Sequence, residues 1–583
     1  MGRKRDVRRT TGQLRIIAQD PGLRDRDGNI VTTLVDVPAE QIRPGPTGYR
    51  VKIIDYDVST DTLYKEADIG SGIDQSYPDL YKDASNDTLL GDPRFHAQNA
   101  YAIIMRTLAR FEQALGRRVR WGCDGHQLHV APHAFAQANA FYSRQDRGLF
   151  LGYFTSPTGK TIFTCLSHDV IAHETTHAIL DGLRRRFLEP SSPDQAAFHE
   201  GFADVVAMLS IFSLRDVVEG LLDIATQGED LIDPAFLTAE ALKDSTLLGL
   251  AEEMGGALAG VRGQALRRSI KLDPKWENAD SPEFEEEHRR GELIVAAMLN
   301  AFLEIWVKRI EKIGTIEIKT VAADGSETVS RKKDRDLVAE SGAKVASHLL
   351  TMAIRAIDYC PPVDLSFSDF LSALLTVDRE VTPDDDRYGY RDVLLYWFNK
   401  FRIRKSHGSG RDGTWKRCEA ELTYARTHFE SLLRDEGEVF RFLWENKEKL
   451  SIDERGYMEV QSVQPCTRIG PDGFSLRETV AEYIQILTLT AKELADMGLQ
   501  MPEDIEPDKV VRIYGGGALI FDEYGQLKYQ IAKHLVEDKY DLERQSKRIQ
   551  YLWDNGRLDQ IEDGTSRLAA LHLARAGVLG ALS

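Results

Sequence analysis

At 583 residues the chain can carry roughly two to four domains, each with its own core, and 42% hydrophobic with 28% charged residues is the balance of a globular protein. The net charge of -18 disfavours nucleic acid as the main partner, because a polyanion is bound by a positive surface. The five cysteines are scattered with no CxxC pair, which predicts neither a disulfide framework nor a cysteine-based zinc site; the lack of a secretory segment or of an apolar run of about 18 residues predicts a cytoplasmic chain with no membrane partner.

In chain order, residues 1–85 read as a β-rich N-terminal segment, with TTLVDVP and GYRVKIIDYDV as strand-like runs and RPGPTG a turn or linker between them. A domain is then expected over 86–405. It opens on a helix, since Tyr101, Ile104, Leu108, Phe111 and Leu115 recur at steps of three and four, and Gly116 is the stop. HQLHVAPHA reads as β, and 139–142 with 149–154 as a hairpin turning near 146–148. After about residue 165 helical patterns run to about 400, with a solvated loop expected at Arg331-Lys332-Lys333. A β-rich lobe ahead of a helical lobe is an α+β arrangement that suits a cleft between the two.

Residues 406–583 read as an appended mixed α/β domain of unassigned role. A Gly/Ser/Arg-rich linker at 406–413 leads to helical patterns near 415–448 and 475–498. Gly515-Gly516-Gly517 lacks the ending of a phosphate loop and reads as a flexible turn, followed by a hairpin in ALIFDEYGQLKYQIAK.

The chemistry concentrates in SHDVIAHETTHAILDGLRRRF, residues 167–187. On a helix capped by Ser167 and ending near Gly182, His173 and His177 share a face and aim two imidazole nitrogens at one point, a zinc-ligand arrangement. Glu174 lies about 100° round the helix, beside the metal without being forced onto it, where a base must stand to deprotonate a water. A second helix start is signalled by Ser192, Pro193 and Gln195, and that helix places Glu200 and Asp204 on one face. Glu200 can complete the zinc ligands, and Asp204 can accept a hydrogen bond from the far nitrogen of a ligand histidine. Asp169, in the first turn of the HExxH helix, is taken with Asp204 as a carboxylate outside the immediate ligands. His288, just before a long apolar helix, reads either as a structural histidine or as a group that stabilises an oxyanion. NAFY (139–142) reads either as an ordinary sheet edge or as a platform that an extended peptide joins as an added strand.

With these residues in place, the chain resembles the thermolysin-like gluzincin metallopeptidases over about residues 85–405. DVIAHETTHAILDG resembles their central helix, EGFAD their third-ligand helix, NAFY their substrate-holding edge strand, ALRRS (265–269) a substrate-contacting segment, and HRRG (288–291) the segment with the transition-state histidine. The resemblance implies a thermolysin-like zincin fold with an appended C-terminal domain, and a zinc endopeptidase acting on peptides or proteins. It implies zinc on His173, His177 and Glu200, catalysis by Glu174 and His288, substrate contacts from Asn139, Ala140 and Arg267, and an apolar pocket lined by Val170 and Leu266. Two features depart from the family: no tyrosine stands between His177 and Glu200 to help bind the oxyanion, and no acidic calcium-binding cluster is recognisable, although Asp169 matches one of its positions. Restricted access or regulation is expected as well, because a broad-specificity protease inside the cell would be dangerous. Two other readings stay open: a weak or inactive zinc-fold scaffold that binds through its C-terminal domain, and a zinc hydrolase of non-peptide amides.

Overall fold

Alternating apolar and polar residues in Thr11–Ile17 (β1) and Thr32–Pro38 (β2) make an antiparallel pair whose inward set, Leu14, Ile16, Val35 and Val37, is buried. The structure is a computed structural model and describes residues 11–22, 24–25, 27–70, 77–156, 159–226, 229–244, 269, 271–274, 281–321, 327–384, 388–469, 473 and 475–558. Val51–Ile53 (β3), Tyr56–Asp57 (β4) and Thr62–Leu63 (β5) complete the expected β-rich start. After a short helix, Asn86–Gly91 (α1), the predicted long helix spans Pro93–Leu115 (α2). Asp92 caps it, Pro93 takes the first turn, and Gly116 ends it in the left-handed region at φ 69°.

Leu128–Phe135 (β6), Ala140–Ser143 (β7), Gly148–Thr155 (β8) and Thr161–Phe163 (β9) form a sheet with β3 in the order β3-β6-β8-β7, β9 also pairing with β8. The β7–β8 hairpin sets Ala140 opposite Leu151 and Tyr142 opposite Leu149, and β7 is the sheet's edge. The helical lobe follows as His168–Leu183 (α3), Pro193–Phe212 (α4), Arg215–Thr226 (α5), Glu287–Glu311 (α6), Arg335–Ala356 (α7), Phe367–Val381 (α8) and Tyr390–Lys400 (α9). Its α4 and α6 cross at two glycines. A Cβ on Gly201 would lie 2.9 Å from the Gly291 Cα, so the backbones meet more closely than side chains allow.

Several expectations fail in this lobe and beyond it. Arg331, Lys332 and Lys333 belong to a strand, Glu327–Asp334 (β12), between Leu231–Ile232 (β10) and Ile316–Val321 (β11). The strand is mostly polar, so its sequence carries no apolar alternation to read; the Lys333 ammonium donates to the Ile313 carbonyl. The stretch near 475–498 is mainly a strand, Ser475–Thr490 (β14), in a four-stranded antiparallel meander with Tyr457–Ile469 (β13), Val510–Asp522 (β15) and Leu527–Lys533 (β16). The middle of β14 is buried on both faces, which erases the period of two and leaves an apolar run that passes for a helix.

Gly515-Gly516-Gly517 is not a flexible turn but the buried centre of β15. A Cβ on Gly516 would meet the Tyr483 carbonyl at 2.4 Å, so close backbone approach is what the glycines serve. The predicted hairpin after them is present, as β15 and β16. Over 415–448 only Phe429–Leu432 (α10) and Glu436–Glu445 (α11) are helical, and Ala491–Asp496 (α12) and Lys539–Asp554 (α13) complete the chain's helices among the described residues.

The 406–413 segment is tied down rather than free as a linker. The Ser406 amide donates to Ser372 Oγ at 2.9 Å and its hydroxyl to Asp369 at 2.7 Å. Val480, Ala518, Ile520, Tyr529 and Ile531 of the C-terminal sheet pack into the same apolar cluster as the helical lobe. The fold is thus mixed α+β, and none of the described helices is long and apolar enough to cross a membrane.

Candidate metal centre

Helix α3 starts where the sequence predicts, with the Ser167 hydroxyl accepting from the Val170 amide, and is buried over most of its length. His173 and His177, one turn apart, bring their Nε2 atoms to 2.8 Å. Helix α4, capped by Ser192 with Pro193 in its first turn, delivers Glu200 to the same point. Its carboxylate oxygens lie 3.4 Å from His173 Nε2 and 3.3 Å from His177 Nε2. Tetrahedral zinc ligands at about 2.0–2.1 Å stand about 3.3 Å apart, so the carboxylate spacing fits and the histidines need to part by about half an ångström.

The far side of each ring is held. His173 Nδ1 donates to Asp204 Oδ1 at 2.6 Å, which leaves Nε2 as the lone-pair nitrogen. His177 Nδ1 lies 3.2 Å from Nδ1 of His199, a residue that the sequence reading passed over although it directly precedes Glu200. Burial pushes His177 down to about 4, which favours the neutral ring that a metal ligand must be. Burial alone would raise Glu200, but His288, and after it the His177 and His173 rings beside it, hold its carboxyl well below the usual carboxylate range.

Glu174 is fully buried beside these donors, and its Oε2 accepts from the Tyr142 backbone amide at 3.0 Å. That contact ties Glu174 to the edge strand. Tyr142 was not singled out from sequence, and its hydroxyl further donates to Asp181 at 3.0 Å. Ala140 lies in the expected strand while Asn139 stands just before it, with Asn139 Oδ1 accepting from the Ala140 amide at 2.9 Å.

His288 stands in the first turn of α6 rather than before it, and the Gly201–Gly291 crossing brings its Nε2 to 3.3 Å from Glu200. Its Nδ1 is 2.8 Å from Glu286 Oε1, and Glu286 also caps α6 by accepting from the Arg289 amide. Although burial acts to raise Glu286, the hydrogen bond and charge of His288 pull it down to about 2. Asp169 sits in the first turn of α3, one turn ahead of His173. Val170 is packed in the main apolar cluster, while Leu266 and Arg267 lie outside the described residues.

The donor set therefore fits a divalent metal ion: two imidazole nitrogens and a carboxylate converge in a buried pocket, with a second carboxylate and a third imidazole at its rim. Compared with protein-family models, curated proteins and solved structures, the chain matches none.

Proposed function

We propose that the chain is a zinc-dependent endopeptidase of the thermolysin-like gluzincin kind, acting on an extended peptide or protein substrate in the cytoplasm. The observation that carries this reading is the convergence of His173, His177 and Glu200 on one point, with Glu174 and His288 at its edge. His173, His177 and Glu200 are the residues that would hold the ion. A zinc ion in such a set supplies Lewis acidity and lowers the pKa of a water it polarises.

The remaining work belongs to the chain. Glu174, positioned by the Tyr142 amide, takes a proton from the attacking water and returns it to the leaving amine. His288, held through Nδ1 by the Glu286 carboxylate, which favours the imidazolium, donates from Nε2 in that form to the oxyanion that forms at the peptide carbonyl. Asp204 fixes the tautomer of His173. The edge strand β7, with Asn139 just before it, offers Ala140 and Asn139 to a substrate backbone lying antiparallel or parallel to it.

Incubating the full chain with a diverse peptide library, with and without a chelator, tests the reading. Cleavage that the chelator abolishes and zinc restores is expected. Stoichiometric zinc without cleavage of any peptide would favour the scaffold, and cleavage of non-peptide amides alone would favour the other hydrolase.

A further inference from the structure

Outside the α3–α4–α6 pocket, a second set of metal-binding side chains is assembled from distant parts of the sequence. His96 comes from α2, His133 from β6, and Cys165 from the 3-10 turn Thr164–Leu166 that leads into α3. All three are buried, Cys165 completely, and their donor atoms lie within 4.8 Å of one another.

The hydrogen bonds define which ring nitrogen carries a proton. His96 Nε2 is 3.0 Å from the Leu90 carbonyl, which can only accept, so Nδ1 presents the lone pair. His133 Nδ1 is 2.9 Å from both Asp55 oxygens, so its hydrogen points there and Nε2 presents the lone pair. These two lone pairs face each other at 2.7 Å. Neutral imidazoles in that arrangement repel, and a cation between them reverses the sign. A shared proton would serve the two nitrogens alone, whereas a metal ion also employs Cys165 Sγ, 3.9 Å from His133 Nε2. Tetrahedral zinc, with nitrogen at about 2.0–2.1 Å and sulfur at about 2.3 Å, spaces two nitrogens about 3.3 Å apart and nitrogen from sulfur about 3.6 Å. Small ring movements therefore suffice.

We propose that His96, His133 and Cys165 bind a second, structural zinc ion, with the Leu90 carbonyl and the Asp55 carboxylate orienting the two rings. The ion joins α2, the β6 strand and the entrance to α3, and so braces the helix that carries the first site. The rings of Phe163 and Tyr64 wall it off, with centroids 5.2 and 5.1 Å from that of His133. A search for paired cysteines misses such a site, since its single thiol is recruited by two histidines far away in the chain.

The site stands independently of the peptidase reading, and metal analysis separates the two. The full chain, purified after growth with zinc, is expected to hold two zinc ions, falling to one in Cys165→Ser and to one in the His173→Ala/His177→Ala double variant. One ion that survives Cys165→Ser but vanishes in the double variant overturns the proposal; one ion lost only in Cys165→Ser upholds it and sinks the first site instead. Loading the wild-type chain with cobalt(II) gives a spectroscopic readout: a thiolate-to-cobalt charge-transfer band in the near ultraviolet is expected. Its absence, or its persistence in Cys165→Ser, overturns the proposal.

Discussion

At the seam between the helical lobe and the C-terminal sheet, buried charges meet opposite ones. Asp358 lies between Arg117 at 2.6 Å and Arg468 at 2.5 Å, Glu478 pairs with Arg468 and Lys528, and Arg184 at the end of α3 reaches Glu482 in β14. In the pocket of α3, α4 and α6 the pattern is the reverse: His173, His177 and His288 turn Nε2 toward the single carboxylate of Glu200. The seam pairs its buried carboxylates with arginine and lysine side chains of the protein itself, so its polar residues serve docking. The pocket gathers lone-pair donors around one point, which is the arrangement a cation completes.

The largest effect that separates the two regions is on turnover. Glu174→Gln keeps the size of the side chain and the acceptor for the Tyr142 amide but removes the base, and is expected to lower peptide cleavage by about 10²–10⁴-fold with zinc content unchanged. Undiminished cleavage by this variant would remove Glu174 from the mechanism. Arg468→Met at the seam is expected to do the opposite, leaving turnover per folded molecule alone and destabilising the fold by about 3–5 kcal/mol, because Asp358 and Glu478 each lose a partner where water cannot replace it. Urea unfolding measures it, and a loss under about 1 kcal/mol would mean that Arg117 and Lys528 compensate.

Acid sharpens the contrast. Burial alone would raise the Glu380 carboxyl, but Lys528, Tyr529 and Arg417 hold it at about 2, below its ordinary 4.5. A depressed folded-state pKa contributes stability that is present above the unfolded value and is lost as pH falls from about 4.5 toward 2. The unfolding midpoint is expected to drop through that window, and Glu380→Gln to flatten the drop while lowering stability at neutral pH.

How much of this was legible follows from the range of each interaction. HExxH and ExxxD could be read because residues four apart share a helix face, and Ser167, Ser192 and Pro193 announced both helices locally. His199 and Glu286 were within sight, next to Glu200 and at the cap of α6, but a capping or neighbouring residue carries no mark of the ring it holds. The glycines of EGFAD and HRRG carry no local signal of their role, since only the crossing of α4 and α6 explains Gly201 and Gly291. LRRRF, read only as lacking the family's tyrosine, turns out to anchor the C-terminal sheet through Arg184, while Arg186 lies 4.9 Å over the Tyr514 ring. Such pairs join positions some three hundred residues apart, and no local pattern encodes them.

The smallest expected effect probes the boundary between the two kinds of region, because Asp204 is a partner of His173 and also a group of the metal pocket. If its charge matters as it would at the seam, Asp204→Asn leaves a neutral acceptor at the same place, lowers the basicity of His173 Nε2, and weakens zinc binding by about 10–100-fold in competition with a chelator. Cleavage at saturating zinc should then stay near that of the unaltered chain, since the ring's orientation survives. Asp204→Ala removes the acceptor as well, and its affinity should fall further. Equal affinities for the two variants would assign Asp204's contribution to charge alone; an unchanged Asn variant with a weakened Ala variant would assign it to holding the ring.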